Sequence, residues 1–195
     1  MSQIGLFFGS FNPIHVGHLI IANHFLENTD LDEVWFVVSP HNPFKEKKTL
    51  ATERHRLNMV RAAIEDNKKL RASDIEFKLA QLSYTIDTLT VLSEKYPTKN
   101  FSLIMGSDNL LSIQGWKNYK QITDHYTIYV FERPDKLIPE TFNPEEFKKV
   151  IVAKAPLLEI SASYIRTSIQ NKKSIRYLVP DAVIAYIESA GLYKK

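Results

Sequence analysis

Short apolar runs alternate along the chain with stretches of helical period. Ile4–Phe8, Val34–Val38, Phe101–Met105, Thr127–Phe131 and Val150–Ala153 are rich in Val, Ile, Phe and Tyr and have the length of buried strands. Between them the apolar spacing becomes helical. Leu19, Ile20, Asn23 and Leu26 share one face of a first helix. Leu57, Val60, Ala63 and Ile64 mark a second, with Thr52 ahead of it as N-cap. Leu89, Leu92 and Tyr96 mark a third, closed by Pro97. A last helix begins at Pro180, expected at its first position, carries Val183, Ile184 and Ile187, and stops at Gly191. Strands alternating with helices predict an α/β fold, a doubly wound parallel sheet with helices on both faces. With no repeat or linker in view, residues 1–195 are expected to form one domain. The longest irregular connections are Phe44–Leu50 and Arg133–Pro144, and such loops often carry function.

Composition narrows the partners more than the fold. With 195 residues, 44% hydrophobic and 24% charged, the chain can bury a sizeable core. Lys+Arg number 25 against 22 Asp+Glu, and the basic residues are scattered, so no broad nucleic-acid face is expected. A local anion site remains open. The absence of cysteine excludes disulfides and thiolate metal sites and is compatible with a reducing compartment. No stretch has the length of a membrane span and no basic-then-apolar leader is present, so a cytoplasmic protein without a membrane partner is expected. A homo-oligomer is compatible with the sequence, which does not define it.

The candidate chemistry lies in GSFNPIHVGH, Gly9–His18, directly behind the first strand. Gly9 is expected to permit a turn closed to other residues, and Pro13 to stiffen the loop before a helix starting close to His15. His15 and His18 then share the first turn of that helix. Its free N–H groups and dipole favour an anion, and in open α/β sheets ligands bind beyond the carboxyl ends of the strands. Two imidazole donors there point to phosphate. A second element, ISASYIR at Ile160–Arg166, reads as a helix start capped by Ser161 or Ser163, with Arg166 on its first turn. Asp108 follows the strand Phe101–Met105, at the end where such sheets bind ligands, and a buried or capping aspartate is the other reading. Trp116 stands among polar neighbours and suits stacking on a cationic ring, whereas Trp35, inside a strand, reads as packing.

GSFNPIHVGH resembles the G-x-F-x-P-x-H-x-G-H motif of the nucleotidylyltransferase superfamily, and ISASYIR resembles its I-S-x-[ST]-x-x-R. SYT at Ser83–Thr85, IMGSDNL at Ile104–Leu110, Trp116, FERP at Phe131–Pro134 and the ending YLVPDAVIAYIESAGLY extend the resemblance, from Ile4 to Tyr193, to bacterial nicotinate-nucleotide adenylyltransferases. The resemblance implies a Rossmann-like fold and transfer of an adenylyl group from ATP to nicotinate mononucleotide, in NAD biosynthesis, with Mg²⁺ arriving on the ATP and no metal site of the protein's own. It implies His15, His18, Arg166 and Lys45 on the phosphates, with His18 nearest the charge of the transition state. Gly9, Ser10, Phe11, Gly106, Asp108, Ser161 and Ser163 would line ATP. Tyr84, Thr85, Trp116, Lys117 and Arg133 would hold the mononucleotide, its carboxylate meeting the N–H groups of Thr85 and Lys117. Asp87 is expected to turn away on the helix that follows. Two positions depart from the family pattern: Phe44 stands where a histidine is usual, leaving His41 in that loop, and Lys117 stands where an aromatic is usual. Pantetheine-phosphate adenylyltransferases share both end motifs, but SYT, Trp116 and the chain length argue against them. A non-catalytic nucleotide-binding module is the reading of another class, and the intact His15, His18 and Arg166 argue against it.

Overall fold

The computed structural model describes residues 1–40, 50–79 and 84–194. Each apolar run forms a strand within a residue or two of its expected limits: β1 (Ser2–Gly9), β2 (Glu33–Val38), β4 (Lys99–Gly106), β5 (Thr127–Phe131) and β6 (Lys149–Ala153). A further strand, β3 (Leu70–Ser73), carries one buried apolar residue and no run of its own. It forms by pairing in parallel with β2, from Val34↔Leu70 to Val37↔Ser73. The described sheet is parallel throughout, in the order β3-β2-β1-β4-β5-β6.

The expected helices are α1 (Val16–Asn28), α2 (Glu53–Ala63), α3 (Thr85–Lys95), α6 (Ala162–Gln170) and α7 (Asp181–Ser189). Thr52 caps α2, its hydroxyl accepting from the His55 N–H at 3.4 Å. Pro180 stands just ahead of α7 as its N-cap instead of entering the first turn. Two short helices, α4 (Ser107–Leu111) and α5 (Tyr119–His125), fall in stretches too brief to show a period. Arg133–Pro144 is irregular, as expected, apart from turns, an isolated bridge between Arg133 and Lys136 and a 3-10 turn that starts at Pro144, whereas most of Phe44–Leu50 lies outside the described residues.

Strand side chains alternate between two cores, which explains why the runs are apolar at nearly every position. Phe7, Phe36, Ile104 and Tyr129 face one core, with Phe25 of α1, Met59 and Val60 of α2, Ile165 of α6 and Val183 and Ile187 of α7. Leu6, Trp35, Leu103, Met105 and Ile128 face the other, under Leu89 and Leu92 of α3 and Ile122 of α5. Trp35 is packing, as expected, and its indole N–H donates to Glu33 at 2.7 Å. No described helix is long and apolar enough to cross a membrane.

The two-sided burial makes a contrast testable. Leu103 lies mid-sheet at 1% exposure, and its replacement by alanine is expected to cost about 2–5 kcal/mol through lost burial and a residual cavity. Val152, on the edge strand and 45% exposed, should change stability by less than about 0.5 kcal/mol on the same replacement. Denaturant midpoints at unchanged m-value measure both.

Candidate active site

The sheet order reverses between β1 and β4: the chain leaves β1 toward β2 on one side and returns to β4 on the other. That arrangement opens a crevice at the carboxyl ends of the two strands, the usual ligand position in such sheets. The turn from β1 into α1 carries Gly9–His18, and the turn from β4 into α4 carries Gly106 and Asp108.

His15 is the N-cap of α1, with extended backbone at φ −144°. Its N–H donates to Nδ1 of His18 at 3.2 Å, so Nε2 is the His18 nitrogen that carries a proton. The two rings stack at 3.7 Å between centroids, and His18 lies edge-on to Phe7 and Phe11. His15 is buried, and its pKa is lowered to about 4, first by that burial and second by the charge of Arg133. It is therefore neutral near pH 7. Its Nδ1 is buried and meets no hydrogen-bond partner among the described residues. Gly9 serves the turn differently from the expectation. It takes no left-handed conformation; a Cβ there would lie 2.8 Å from the Phe11 ring. Phe11 itself has positive φ, 44°.

At the end of β4 a similar close approach excludes a side chain at Gly106, where a Cβ would fall on the Asp108 carboxylate. Asp108 Oδ2 accepts from Arg133 at 3.2 Å, while its Oδ1 is buried with no partner among the described residues. Ser107 locks the loop behind them: its hydroxyl accepts from the Arg133 N–H at 3.0 Å and donates to the Lys136 carbonyl.

The C-terminal motif joins this site across the fold. Ser161 is the cap of α6, accepting from the Tyr164 N–H at 3.2 Å, and Ser163 lies inside the first turn. Arg166 donates to the Asn12 carbonyl at 2.8 Å and to the Ser163 hydroxyl at 3.2 Å. No described carboxylate pairs with it, so its charge is held by neutral acceptors. Two contributors were not legible in the sequence. The Asn12 side chain accepts from the Ala51 N–H at 3.1 Å and from the Tyr193 hydroxyl at 2.8 Å, tying the motif turn to the end of the chain. Their only signal was position, Asn12 at an unspecified place in the motif and Tyr193 in the recurring ending.

The remaining group gathers at the start of α3. Tyr84 precedes the helix, Thr85 opens it, and Lys117 reaches across from the segment before α5. Lys117 Nζ lies 3.1 Å from both oxygens of Asp87 and 4.7 Å from the Tyr84 ring centre. Asp87 thus does not turn away. It also accepts from the Tyr84 N–H, at 3.4 Å, and this first-turn position aims it at the neighbouring loop. The positive charge of Lys117 is consequently paired. Trp116 is half-buried against the second core. Lys45, His41, Phe44 and Ser83 lie outside the described residues. No group of three or more His, Asp or Glu gathers into a metal site among the described residues.

Comparison with known proteins identifies the family. The sequence profile of the cytidylyltransferase-like family matches residues 6–168. The chain is 57% identical to the "Probable nicotinate-nucleotide adenylyltransferase" of Cytophaga hutchinsonii, covering 98% of each chain. It is 52% identical to the protein of the same name from Flavobacterium psychrophilum, over 99% of this chain and 100% of that one. The solved structure of Plasmodium falciparum nicotinic acid mononucleotide adenylyltransferase complexed with NaAD shares the fold, with a TM-score of 0.84 at 24% identity over 99% of this chain and 98% of that chain. The chain belongs to the cytidylyltransferase-like family and, within it, to the nicotinate-nucleotide adenylyltransferases.

Proposed function

We propose that the protein joins ATP and nicotinate mononucleotide into deamido-NAD, releasing pyrophosphate, and that His15, His18, Asp108 and Arg166 carry the ATP half of the reaction. The observation that supports this reading best is a pair of buried polar atoms without a hydrogen-bond partner among the described residues, His15 Nδ1 and Asp108 Oδ1, on the two turns that flank the sheet's reversal. Buried polar atoms are normally satisfied, so such orphans mark places where a ligand completes the structure.

A phosphate oxygen of the mononucleotide, already ionised at neutral pH, attacks the α-phosphorus of ATP. A new P–O bond forms as the α–β bond breaks, and pyrophosphate departs with the electron pair. No general base is needed. The protein's task is to align two anions and stabilise charge on the α-phosphate and leaving group. His18, with its proton on Nε2, donates to the developing charge, and neutral His15 donates to a neighbouring phosphate oxygen. Arg166, unpaired with any described carboxylate, offers its planar fork to two oxygens. Asp108 Oδ1 accepts from ribose. Lys45 is assigned to the phosphates on sequence alone.

Mg²⁺ would come with ATP, which fits a donor set in which Asp108 already commits one oxygen to Arg133. It would supply neutralisation of phosphate charge. On the acceptor side, Trp116 stacks on the pyridinium ring and the N–H groups of Thr85 and Lys117 receive its carboxylate. Because Asp87 neutralises the Lys117 side chain, the preference for an acid rests on those backbone donors.

Pyrophosphate release from ATP, assayed with nicotinate mononucleotide, nicotinamide mononucleotide and pantetheine phosphate in turn, tests the assignment. The acid should be favoured over the amide by at least about 10²-fold in kcat/KM, since donors left facing an NH₂ discriminate strongly; equal values would overturn the acceptor site. His18→Ala should lower kcat by about 10²–10³ in a folded protein, the usual loss for one transition-state donor.

His15 predicts a pH dependence of stability. Its folded pKa, about 4, lies below the unfolded 6.5, so the unfolded chain binds the proton more readily. The stabilisation from keeping it neutral is complete above pH 6.5 and is lost as pH falls toward 4. A His15→Gln variant should lose less stability than wild type over that window, by on the order of 2–3 kcal/mol in the difference, read from urea unfolding at each pH.

A further inference from the structure

Arg56 belongs to none of the motifs, yet it is the largest wholly buried side chain of the described residues, at 0% exposure. It projects from α2, and its guanidinium meets four main-chain carbonyls: Ala51 through Nε at 3.0 Å, Ser10 and Ser39 through Nη1 at 2.7 Å each, and Pro40 through Nη2 at 2.6 Å. No described carboxylate forms an ion pair with it. Burial holds its pKa below the ordinary guanidinium value, although an arginine stays charged at neutral pH.

A buried cation with no ion-pair partner among the described residues is costly, and the neutral carbonyls and the charge of nearby Glu53 offset only part of that cost. A side chain selected for packing alone would be apolar here. What the charge touches suggests its use. Ser10 lies in the Gly9–Phe11 turn, and Ser39 follows β2, which pairs with β1 up to Gly9↔Val38. One guanidinium therefore ties the ends of two adjacent strands and the start of the motif turn to α2. In a trans peptide the C=O and the following N–H point in opposite directions. With the Ser10 carbonyl turned to Arg56, the Phe11 N–H must point away from it. On the other side of the same turn, Arg166 holds the Asn12 carbonyl. Two arginines with no described counter-ion thus grip successive parts of one turn by its carbonyls.

We propose that Arg56 is a positioning residue of the ATP-phosphate site, fixing the Ser10–Phe11 peptide with its N–H turned away from the guanidinium and setting behind the turn a positive charge that no described carboxylate pairs with. It touches no substrate. This rests on the reading of the β1–α1 turn as the phosphate site.

The test compares Arg56→Lys and Arg56→Met with wild type in the full chain, using tripolyphosphate and adenosine as separate calorimetric probes alongside steady-state kinetics. In Arg56→Met, tripolyphosphate affinity should fall and KM for ATP should rise by about tenfold or more, with adenosine affinity and KM for the mononucleotide within about twofold. Arg56→Lys keeps the charge but loses the planar fork, so it should fall between the two, with tripolyphosphate binding weakened about threefold or more. Should the methionine variant fail to fold, the lysine variant carries the comparison. Wild-type tripolyphosphate affinity in a folded variant, or an equal loss for adenosine, would overturn the proposal and leave Arg56 a purely structural strut. A wild-type protein that releases no pyrophosphate from ATP and nicotinate mononucleotide would instead overturn the reading beneath it.

Discussion

The hydrogen bond from Arg166 to the Asn12 carbonyl joins residues 154 positions apart and makes one site of two motifs. Without it, the turn after β1 and the start of α6 are separate helix entrances, each a weak place for an anion. With it, the guanidinium is held at the turn that leads to the histidine pair, and no described carboxylate pairs with it. The same residue, Asn12, accepts from Tyr193 and from Ala51, so the chain's end and the approach to α2 depend on the turn as well. Rigidity at this turn is what a reaction needs when alignment of two phosphates, and not a reactive side chain, lowers the barrier.

Charge is handled differently on the two sides of the crevice. At the β1–α1 turn, Arg166 and Arg56 bond to carbonyls and a hydroxyl, and His15 is kept neutral by burial. Cations without a described ion-pair partner suit a polyanion. Elsewhere the cations come paired: Lys117 with Asp87 at the start of α3, and Arg133 with Asp108 at the end of β4. Both pairs are partly exposed, so their contribution to stability is small; their effect is on geometry and on the local field. In the function proposed above, donors in fixed positions would receive a singly charged carboxylate, and cations without a described ion-pair partner would receive the triphosphate.

Much of the fold was legible because parallel strands covered on both faces are apolar at nearly every position, and Ile4–Phe8, Val34–Val38 and Thr127–Phe131 carry that signal locally. Leu70–Ser73 carries none of it; β3 exists because β2 offers an unpaired edge. The helices α4 and α5 are too short for a period to emerge. At the candidate site, type and spacing singled out His15, His18 and Arg166, since phosphate chemistry calls for such donors, and the structure puts His15 and His18 at the start of α1 and Arg166 on α6. Asp87 was misjudged because its direction depends on where Lys117 arrives, across 30 positions. Gly9 was misjudged in its reason: the constraint is the Phe11 ring packed over it, a tertiary contact, and not a backbone angle.

The sequence by itself determined the alternation of strands and helices, the class of fold, the two anion-favouring helix starts and the residue types that suit phosphate transfer. These follow from local periodicity, capping and side-chain chemistry, all readable over a few residues. Only the tertiary structure decided which groups are neutral, which are paired and which are left without a partner. Burial lowers the pKa of His15, four distant carbonyls gather round Arg56, and the sheet order sets the turns carrying His15 and Asp108 side by side. Desolvation and long-range hydrogen bonding exist only once the chain has closed on itself, and they convert a list of suitable residues into a site.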